Sequence, residues 1–380
     1  MGLNLITFFA SLGTETIPVN RGFDDSIVFS QNQTIDNTPD YHWNGDYLQN
    51  PSSGKFIHIF ANGPDHLWNV NKKISARTSD DNGQNFSSVF DIYDPVGFGT
   101  QDVGGGYDTS GKLHLFTSAL SGTGTGDAKE LRYFTSDNDG ATISTPTTIS
   151  TPADGLNTHR VLGTMINNNG IILKPMYKFT DEGDVTESAI YVMRSVIGGD
   201  TWTFHEVKGK STNYYNEGAI ISLGGNNLLF IARDEVNKGW QQYRSSDNGE
   251  NWLSDGNTQL GETFGSSTPK PACLRAFSIN RQRVIGFHSF NQNSSTRTFV
   301  VYAKALDLIN NGLSAWNLNT KYLVEQSASP LGGYGNVIYL NNTLEAKAQA
   351  YQDDDQQDSR TWYQTLKTTH YQSLISELGL

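Results

Sequence analysis

The chain has a single cysteine, Cys273, among 380 residues, so no disulfide can form within one chain. Positive charge is also scarce, since 27 Lys and Arg residues stand against 39 Asp and Glu residues and give a formal net charge of −12. A nucleic-acid-binding domain is expected to carry a basic face, so this composition argues against DNA or RNA as a partner. It does not exclude a small anionic ligand, because a local arginine cluster can oppose the overall negative field.

Long apolar runs are missing as well, and none reaches the length of a membrane-spanning helix. The apolar segment 3–12 has the composition of a signal peptide, but no Lys or Arg precedes it and no small-x-small cleavage site follows. We therefore expect residues 1–22 to form an arm that docks onto a partner or a larger particle. Residues 23–380 are expected to form one domain, because no segment differs in composition as a linker would. An extracellular and a virion-associated location both stay open.

A motif of the form Ser-x-Asp-x-Gly-x-Asn/Thr-aromatic recurs along the chain. Its serines stand at positions 79, 136, 195 and 245, in steps of 57, 59 and 50 residues. The copies at 79–86 and 245–252 are complete, the copy at 136–143 is looser, and the copy at 195–202 has Ile197 in place of Asp. Recurrence at such a spacing is typical of a repeat architecture.

Each copy follows a short run of residues that favour β-strands. Asp and Asn side chains bond to nearby backbone and Gly adopts positive φ without steric cost, so the motif predicts a tight hairpin turn. The closing Trp or Phe is expected to pack back on its own sheet. The whole chain is rich in turn and strand formers, with 38 Gly, 17 Tyr and 19 Phe, and only its C-terminus offers a short helical candidate.

These hairpin segments resemble the Asp boxes of sialidases and related BNR-repeat proteins, whose family fold is a six-bladed β-propeller. The resemblance implies an all-β chain of six four-stranded antiparallel blades, each of about 55 residues. The blades would cover 40–95, 96–150, 151–210, 211–260, 261–325 and 326–375, with a strand at 24–30 closing the ring. In that family the boxes lie on the face opposite the active site, so they indicate the fold and not the chemistry.

Polar residues at inner-strand ends of different blades are the candidates for a site in the central channel. The residues that fit are Glu217, Arg233, Arg297 and Tyr334. The resemblance implies that Tyr334 is the nucleophile and Glu217 its base, with Asp65 as acid/base and Arg233 and Arg297 binding a substrate carboxylate. A tyrosine nucleophile is an exception among glycosidases. A neutral phenol avoids repulsion by the substrate's carboxylate, but it needs an adjacent base to act at neutral pH.

One position departs from the family pattern. The family's first arginine usually lies in an Arg-Ile-Pro run at the start of the first blade, whereas residues 39–44 here read Pro-Asp-Tyr-His-Trp-Asn. His42 is the expected substitute, and Arg21 or Arg160 could reach the channel from elsewhere. The sugar is therefore left open between sialic acid and another acidic sugar.

Each candidate also has a purely structural interpretation. Glu217 could be a solvated strand end, and Arg233 could form a surface pair with Asp234 or Glu235 across a turn. Tyr334 could be a packing aromatic and Asp65 a turn residue. The histidines are too scattered to suggest a metal site, and we expect no cofactor.

Three functions are compatible with this sequence. The first is a retaining exo-glycosidase of the sialidase kind, acting on a terminal acidic sugar of a glycan. The second is a glycan-binding propeller without turnover, such as a phage or cell-surface attachment protein. The third is a propeller polysaccharide lyase with Tyr or His as base. Contact of Tyr334 with Glu217 would favour the hydrolase, and contact with a histidine would favour the lyase.

Overall fold

A computed structural model describes most of the chain between residues 41 and 380. The described residues are 41–63, 72–81, 85–95, 98–121, 128–181, 184–258, 260, 268–269, 272–292, 297–316, 322–326, 334–339, 346–351, 364–366 and 371–380. The predicted arm at 1–22 and the predicted closing strand at 24–30 lie outside these ranges, and so does Asp65. The division of the chain into an arm and one domain stays a prediction.

The described strands form six antiparallel sheets, each built from one continuous part of the chain. The first sheet contains β1 (Tyr41–Gln49), β2 (Phe56–Gly63), β3 (Lys73–Ser79) and β4 (Phe90–Tyr93). The second contains β5 (Phe98–Tyr107), β6 (Leu113–Ser121), β7 (Ala128–Ser136) and β8 (Thr147–Ile149). The third contains β9 (Thr158–Arg160), β10 (Ile166–Asn168), β11 (Ile171–Asp181), β12 (Asp184–Ser195) and β13 (Thr203–Ser211).

The fourth sheet contains β14 (Tyr215–Gly224), β15 (Asn227–Asp234), β16 (Gly239–Ser245) and β17 (Leu253–Thr258). The fifth contains β18 (Thr268–Pro269), β19 (Cys273–Ile279), β20 (Gln282–Gln292), β21 (Arg297–Lys304) and β22 (Tyr322–Gln326). The sixth has three described strands, β23 (Tyr334–Tyr339), β24 (Ala346–Tyr351) and β25 (Gln364–Leu366). Two helices are described, α1 (Ala305–Asn311) and α2 (Tyr371–Leu378). No described helix has the length and apolar character needed to cross a membrane.

The sheets follow one another around a ring. The first strands of neighbouring sheets contact one another: β1 contacts β5, β10 contacts both β5 and β14, β14 contacts β19, and β19 contacts β23. The ring closes where β23 of the last sheet contacts β1 of the first. The predicted all-β propeller is therefore confirmed, with the first strand of each sheet innermost. In the third and fifth sheets this innermost strand is split in two, since β9 and β10 both pair with β11, and β18 and β19 both pair with β20.

The hydrophobic core lies between adjacent sheets. One cluster joins the first and second sheets through residues such as Ile57, Ile74 and Leu115, and another joins the fourth and fifth through Trp240 and Phe287. Because both faces of a blade are covered by neighbours, its second strand is buried throughout, as β2 is over all eight residues. Its sequence accordingly does not alternate between apolar and polar residues, and its polar residues His58 and Asn62 are buried with the rest.

We call the edge of each sheet where its first strand begins the upper edge, and the opposite edge the lower edge. The four Ser-x-Asp-x-Gly segments all connect the third strand of a sheet to the fourth, so they lie at the lower edge. In the copy at 245–252 the Ser245 hydroxyl donates to the Asp247 carboxylate (2.7 Å) and accepts from the Gly249 N–H (2.9 Å). Asp247 also accepts from the backbone and side chain of Asn251. These bonds explain why the motif needs its residue types.

The hairpin at 195–202 keeps the same shape although Ile197 replaces Asp. The Ser195 hydroxyl accepts from the Gly199 N–H (3.0 Å), and Gly199 has φ of 98°. The closing aromatics pack differently from one copy to the next. Trp252 contacts Phe230 of its own sheet (5.7 Å between ring centroids), whereas Trp202 contacts Phe116 of the second sheet (5.3 Å). Trp202 thus reaches the neighbouring blade, and the cluster against which it packs also contains Met193 of its own sheet, so this residue joins two blades.

Helix α1 takes the place of this hairpin in the fifth sheet, and the sequence did not predict it. Arg244 of the neighbouring sheet donates to the carbonyl oxygens of Leu308 (3.2 Å) and Ile309 (2.5 Å). These carbonyls belong to the last turn of the helix, where backbone partners are incomplete, and that of Leu308 also accepts from the N–H of Gly312. Asp255 holds the Arg244 guanidinium with two contacts of 2.7 Å. The helix is therefore stabilised by a partner that lies about 65 residues earlier in the chain.

Candidate functional site

The candidate site lies at the upper edge, where Glu217 occupies an irregularity in the innermost strand of the fourth sheet. Pairing between β14 and β15 shifts at this point, since Asn216 opposes Arg233 and Gly218 opposes Ala232, which leaves Glu217 without an opposite residue. A bulge of this kind redirects a side chain and is frequent beside active sites. Glu217 is only 4% exposed, so the interpretation of it as a solvated strand end is wrong.

Arg233, near the end of β15, is the cation that faces this carboxylate. Its Nη1 lies 2.5 Å from Glu217 Oε2, and its Nη2 lies 2.5 Å from Glu235 Oε1. Asn216 Nδ2 also donates to Glu235 Oε1 (3.2 Å). Arg233 is 5% exposed, so its pairing with Glu235 is not the weak surface pair that the sequence allowed. One guanidinium is thus shared between two carboxylates.

A second buried ion pair lies at the same edge. Arg160, the last residue of β9, places Nη1 3.4 Å from Asp102 Oδ2, and both residues are buried. Asp102 lies within a further shift of strand pairing, between Thr100 and Val103 of β5. The guanidinium of Arg160 also lies over the Phe179 ring, 5.9 Å from its centroid. Arg160 therefore reaches the upper edge. The sequence had suggested that Arg160 could do so in place of the arginine that residues 39–44 lack.

Tyr177 connects the two ion pairs. It is paired with Arg160 across the β9–β11 ladder, and it is 7% exposed. Burial raises the pKa of Tyr177 well above its usual value, and the nearby carboxylates of Asp102 and Glu217 raise it further, while Arg160 opposes them. Independently, Gly163 packs directly against the carbonyl oxygen of Gly218, which brings the third sheet against the residue next to Glu217. The second, third and fourth sheets thus converge on one cluster of charged groups.

A further polar network joins the sheets. The Asp46 carboxylate accepts from the Gly105 N–H (2.8 Å) and from the Thr164 hydroxyl (2.9 Å). Arg275 of the fifth sheet donates to the same hydroxyl (3.3 Å), and the buried Lys174 ammonium donates to the carbonyl of Gly163. Four sheets are therefore joined by polar contacts on the inside of the ring.

Three of the remaining predicted residues have described backbones at the upper edge. His42 is the second residue of β1, Arg297 is the first of β21, and Tyr334 is the first of β23. First strands begin at the upper edge and third strands run in the same direction, so all three belong to the edge that carries Glu217. Contact between Tyr334 and Glu217 stays a prediction, and Asp65 lies outside the described residues.

The sequence did not single out Asp102 or Tyr177, and it gave Glu235 only a surface role. Asp102 and Tyr177 reach the site because neighbouring sheets pack against one another, and no local signal marks either one. Among the described residues, no group of three or more His, Cys, Asp or Glu is placed to hold a metal ion.

The ring of antiparallel sheets, with polar residues gathered at one edge, defines this chain as a β-propeller. A family model described as a BNR repeat-like domain matches residues 105–321, which is more than half of the chain. The chain belongs to this BNR repeat-like family. A comparison with curated proteins finds no match.

Several solved structures share the fold. The Hadza microbial sialidase Hz136 superposes with a TM-score of 0.67 at 14% identity, over 86% of this chain and 66% of that one. The Trypanosoma rangeli sialidase in complex with sialic acid gives 0.65 at 16% identity, over 88% and 55%. The intramolecular trans-sialidase from Ruminococcus gnavus in complex with oseltamivir carboxylate gives 0.67 at 13% identity, over 93% and 98%. The chain therefore spans about two thirds or less of the first two proteins, and at these identities the likeness concerns the fold.

Proposed function

We propose that this protein is a retaining exo-glycosidase that removes a terminal acidic sugar, such as sialic acid, from a glycan. The observation that carries the proposal is the buried Glu217, placed at a bulge of an innermost strand and paired with Arg233. A cation beside a carboxylate favours the charged form of the carboxylate, and that form can accept a proton. The sixth sheet begins its innermost strand with Tyr334 at the same edge, which supplies the phenol that such a base would activate.

The proposed reaction has two steps. In the first, Glu217 accepts the phenol proton while the Tyr334 oxygen bonds to the anomeric carbon, and Asp65 donates a proton to the departing glycosidic oxygen. In the second, Asp65 accepts a proton from water, the water oxygen replaces the tyrosine oxygen, and Glu217 returns its proton to Tyr334. The two displacements retain the configuration of the sugar. Arg233, Arg297 and His42 are the proposed partners of the sugar carboxylate, because guanidinium groups bind carboxylates with two parallel hydrogen bonds.

Hydrolysis of a fluorogenic sialoside by the wild type, Tyr334→Phe and Glu217→Gln tests this mechanism. We expect Tyr334→Phe to lower kcat at least about a thousandfold and Glu217→Gln to lower it by about two to four orders of magnitude. The matched control is Tyr107→Phe, which loses a hydroxyl that donates to Asp139 (2.6 Å) at the lower edge. This control should retain wild-type turnover. Equal turnover by all four proteins would refute the roles of Tyr334 and Glu217.

A glycan-binding propeller without turnover is the second candidate. Both terminal nitrogens of Arg233 already contact carboxylates, and residues 39–44 contain no arginine, so a sugar carboxylate meets fewer free guanidinium groups here. Binding of 2-deoxy-2,3-didehydrosialic acid, measured by calorimetry alongside the turnover assay, separates the two candidates. Binding without turnover would establish the attachment function. Absence of both would exclude sialic acid, and release of an unsaturated uronate from a polysaccharide would identify a lyase.

A further inference from the structure

Glu235 lies just after the end of β15, two residues beyond Arg233, and it is half-buried at the rim of the site. One oxygen of its carboxylate, Oε1, contacts both Arg233 Nη2 (2.5 Å) and Asn216 Nδ2 (3.2 Å). Its backbone N–H donates to the carbonyl of Tyr214 (3.0 Å), which fixes the start of the turn beside β14. Glu235 is therefore held in place by three separate contacts to the strands that carry Glu217 and Arg233.

These contacts give Arg233 two anionic partners instead of one. The planar guanidinium presents Nη1 to Glu217 and Nη2 to Glu235, so its position is set from two directions. We propose that Glu235 is a positioning residue that orients Arg233. The positive charge of Arg233 is then divided between Glu235 and Glu217. The inference rests on the proposed function, because it concerns the same Glu217 that acts as base for Tyr334.

The direction in which the Glu235 charge affects Glu217 follows from electrostatics. It acts on Glu217 as a like charge and as a competitor for Arg233, and both effects favour the protonated form of Glu217. Among the described side chains, the other charged groups at this edge are Asp102 of β5 and Arg160 of β9, with Tyr177 of β11 as a neutral neighbour. These groups are unchanged when Glu235 is replaced, so their contributions cancel in the comparison. Removal of the Glu235 charge should therefore make Glu217 ionise at lower pH.

The pH profile of kcat/KM for the fluorogenic sialoside tests the proposal with Glu235→Gln and Glu235→Ala. The Gln side chain keeps an oxygen that can accept from Arg233 and Asn216, so this variant removes charge and retains orientation. We expect its acidic limb to move down by roughly one pH unit, with KM unchanged. Glu235→Ala removes both functions, so the limb should move equally and KM should rise about tenfold as Arg233 loses its second support.

Glu250→Gln is the matched control, because Glu250 also pairs with an arginine (Arg194 Nη2, 3.0 Å) but lies at the lower edge. Its pH profile should coincide with that of the wild type. An acidic limb that stays in place in both Glu235 variants would overturn the proposal, and so would an equal movement in Glu250→Gln, which would indicate a general effect of net charge.

If the wild type shows no turnover, the result contradicts the proposed function but not the role of Glu235. In that case the titration of the Glu217 carboxyl carbon, followed by 13C NMR in the wild type and in Glu235→Gln, measures the same coupling directly. A lower titration midpoint in the variant supports the shared guanidinium. Identical midpoints refute it.

Discussion

The buried Lys174 offers a quantitative test of the polar network that joins the sheets inside the ring. Burial lowers the pKa of Lys174 from its ordinary 10.5 to about 8, although the carboxylates of Asp46 and Asp102 act in the opposite direction. Between these two values the unfolded chain binds the proton more readily than the folded chain, so this group makes stability rise with pH. The difference in pKa corresponds to about 3 kcal/mol in the free energy of unfolding.

Replacement of Lys174 by Met should remove this pH dependence. At any one pH the substitution also loses the hydrogen bond to the Gly163 carbonyl, but that loss is nearly the same at every pH. The stability of the variant relative to the wild type is therefore expected to fall by about 3 kcal/mol between pH 7 and pH 10.5. For a chain of this size, the melting temperature of the variant relative to that of the wild type should fall by about 4 °C over the same pH range.

Thermal unfolding at intervals between pH 7 and pH 10.5 provides the assay, with Lys112→Met as the control. Lys112 pairs with Asp137 at 3.6 Å, and its side chain is 40% exposed, so its variant should follow the pH dependence of the wild type. Tyrosines with raised pKa, such as Tyr133, affect all three proteins alike above pH 10 and cancel in the differences. Parallel curves for Lys174→Met and the wild type would show that the ammonium is solvated and would refute the reasoning.

Two further predictions concern the hairpin at 195–202. Ile197→Asp restores an acceptor for the backbone N–H of Thr201 and removes an apolar side chain that is 56% exposed. We expect the free energy of unfolding, measured with urea, to rise by about 1 kcal/mol. A fall would contradict the role assigned to the Asp of the motif. Gly199→Ala should cost more than about 2 kcal/mol, because a methyl group there overlaps the Tyr133 hydroxyl and the residue has φ of 98°. The control Gly170→Ala has a similar φ of 83° with open space around it, and equal losses in the two variants would show that the overlap is relieved at no cost.

The repeated hairpins were predictable because their geometry is local. Ser245, Asp247, Gly249 and Asn251 bond to one another within seven residues, so sequence spacing alone specifies the turn. Once these turns were spaced along the chain, the order of the sheets followed, since each sheet is a continuous part of the chain. Helix α1 was not predictable, because its seven residues are too few for a periodic pattern and its carbonyl partner, Arg244, comes from another sheet.

The contacts of the candidate site also differ in how far apart their residues lie in the chain. Glu217 and Arg233 stand 16 residues apart on adjacent strands of one hairpin. The sequence singled out both residues, but their contact with each other was found only in the structure. Arg160 and Asp102 are 58 residues apart on different sheets, and no local rule pairs them. The burial of all four follows from the neighbouring sheets and not from their own strands.

The sequence alone therefore determined the class of fold and the position of the hairpins, because each depends on contacts within one sheet. Only the tertiary structure decided that the ion pairs of Arg233 are shielded from water, that Arg160 and Asp102 reach the same edge, and that Lys174 is enclosed beside Asp46. These outcomes depend on how the sheets meet around the ring. Burial and charge at such junctions are set by residues that lie far apart in the chain, and the free energy of an ionised group changes most where water is excluded.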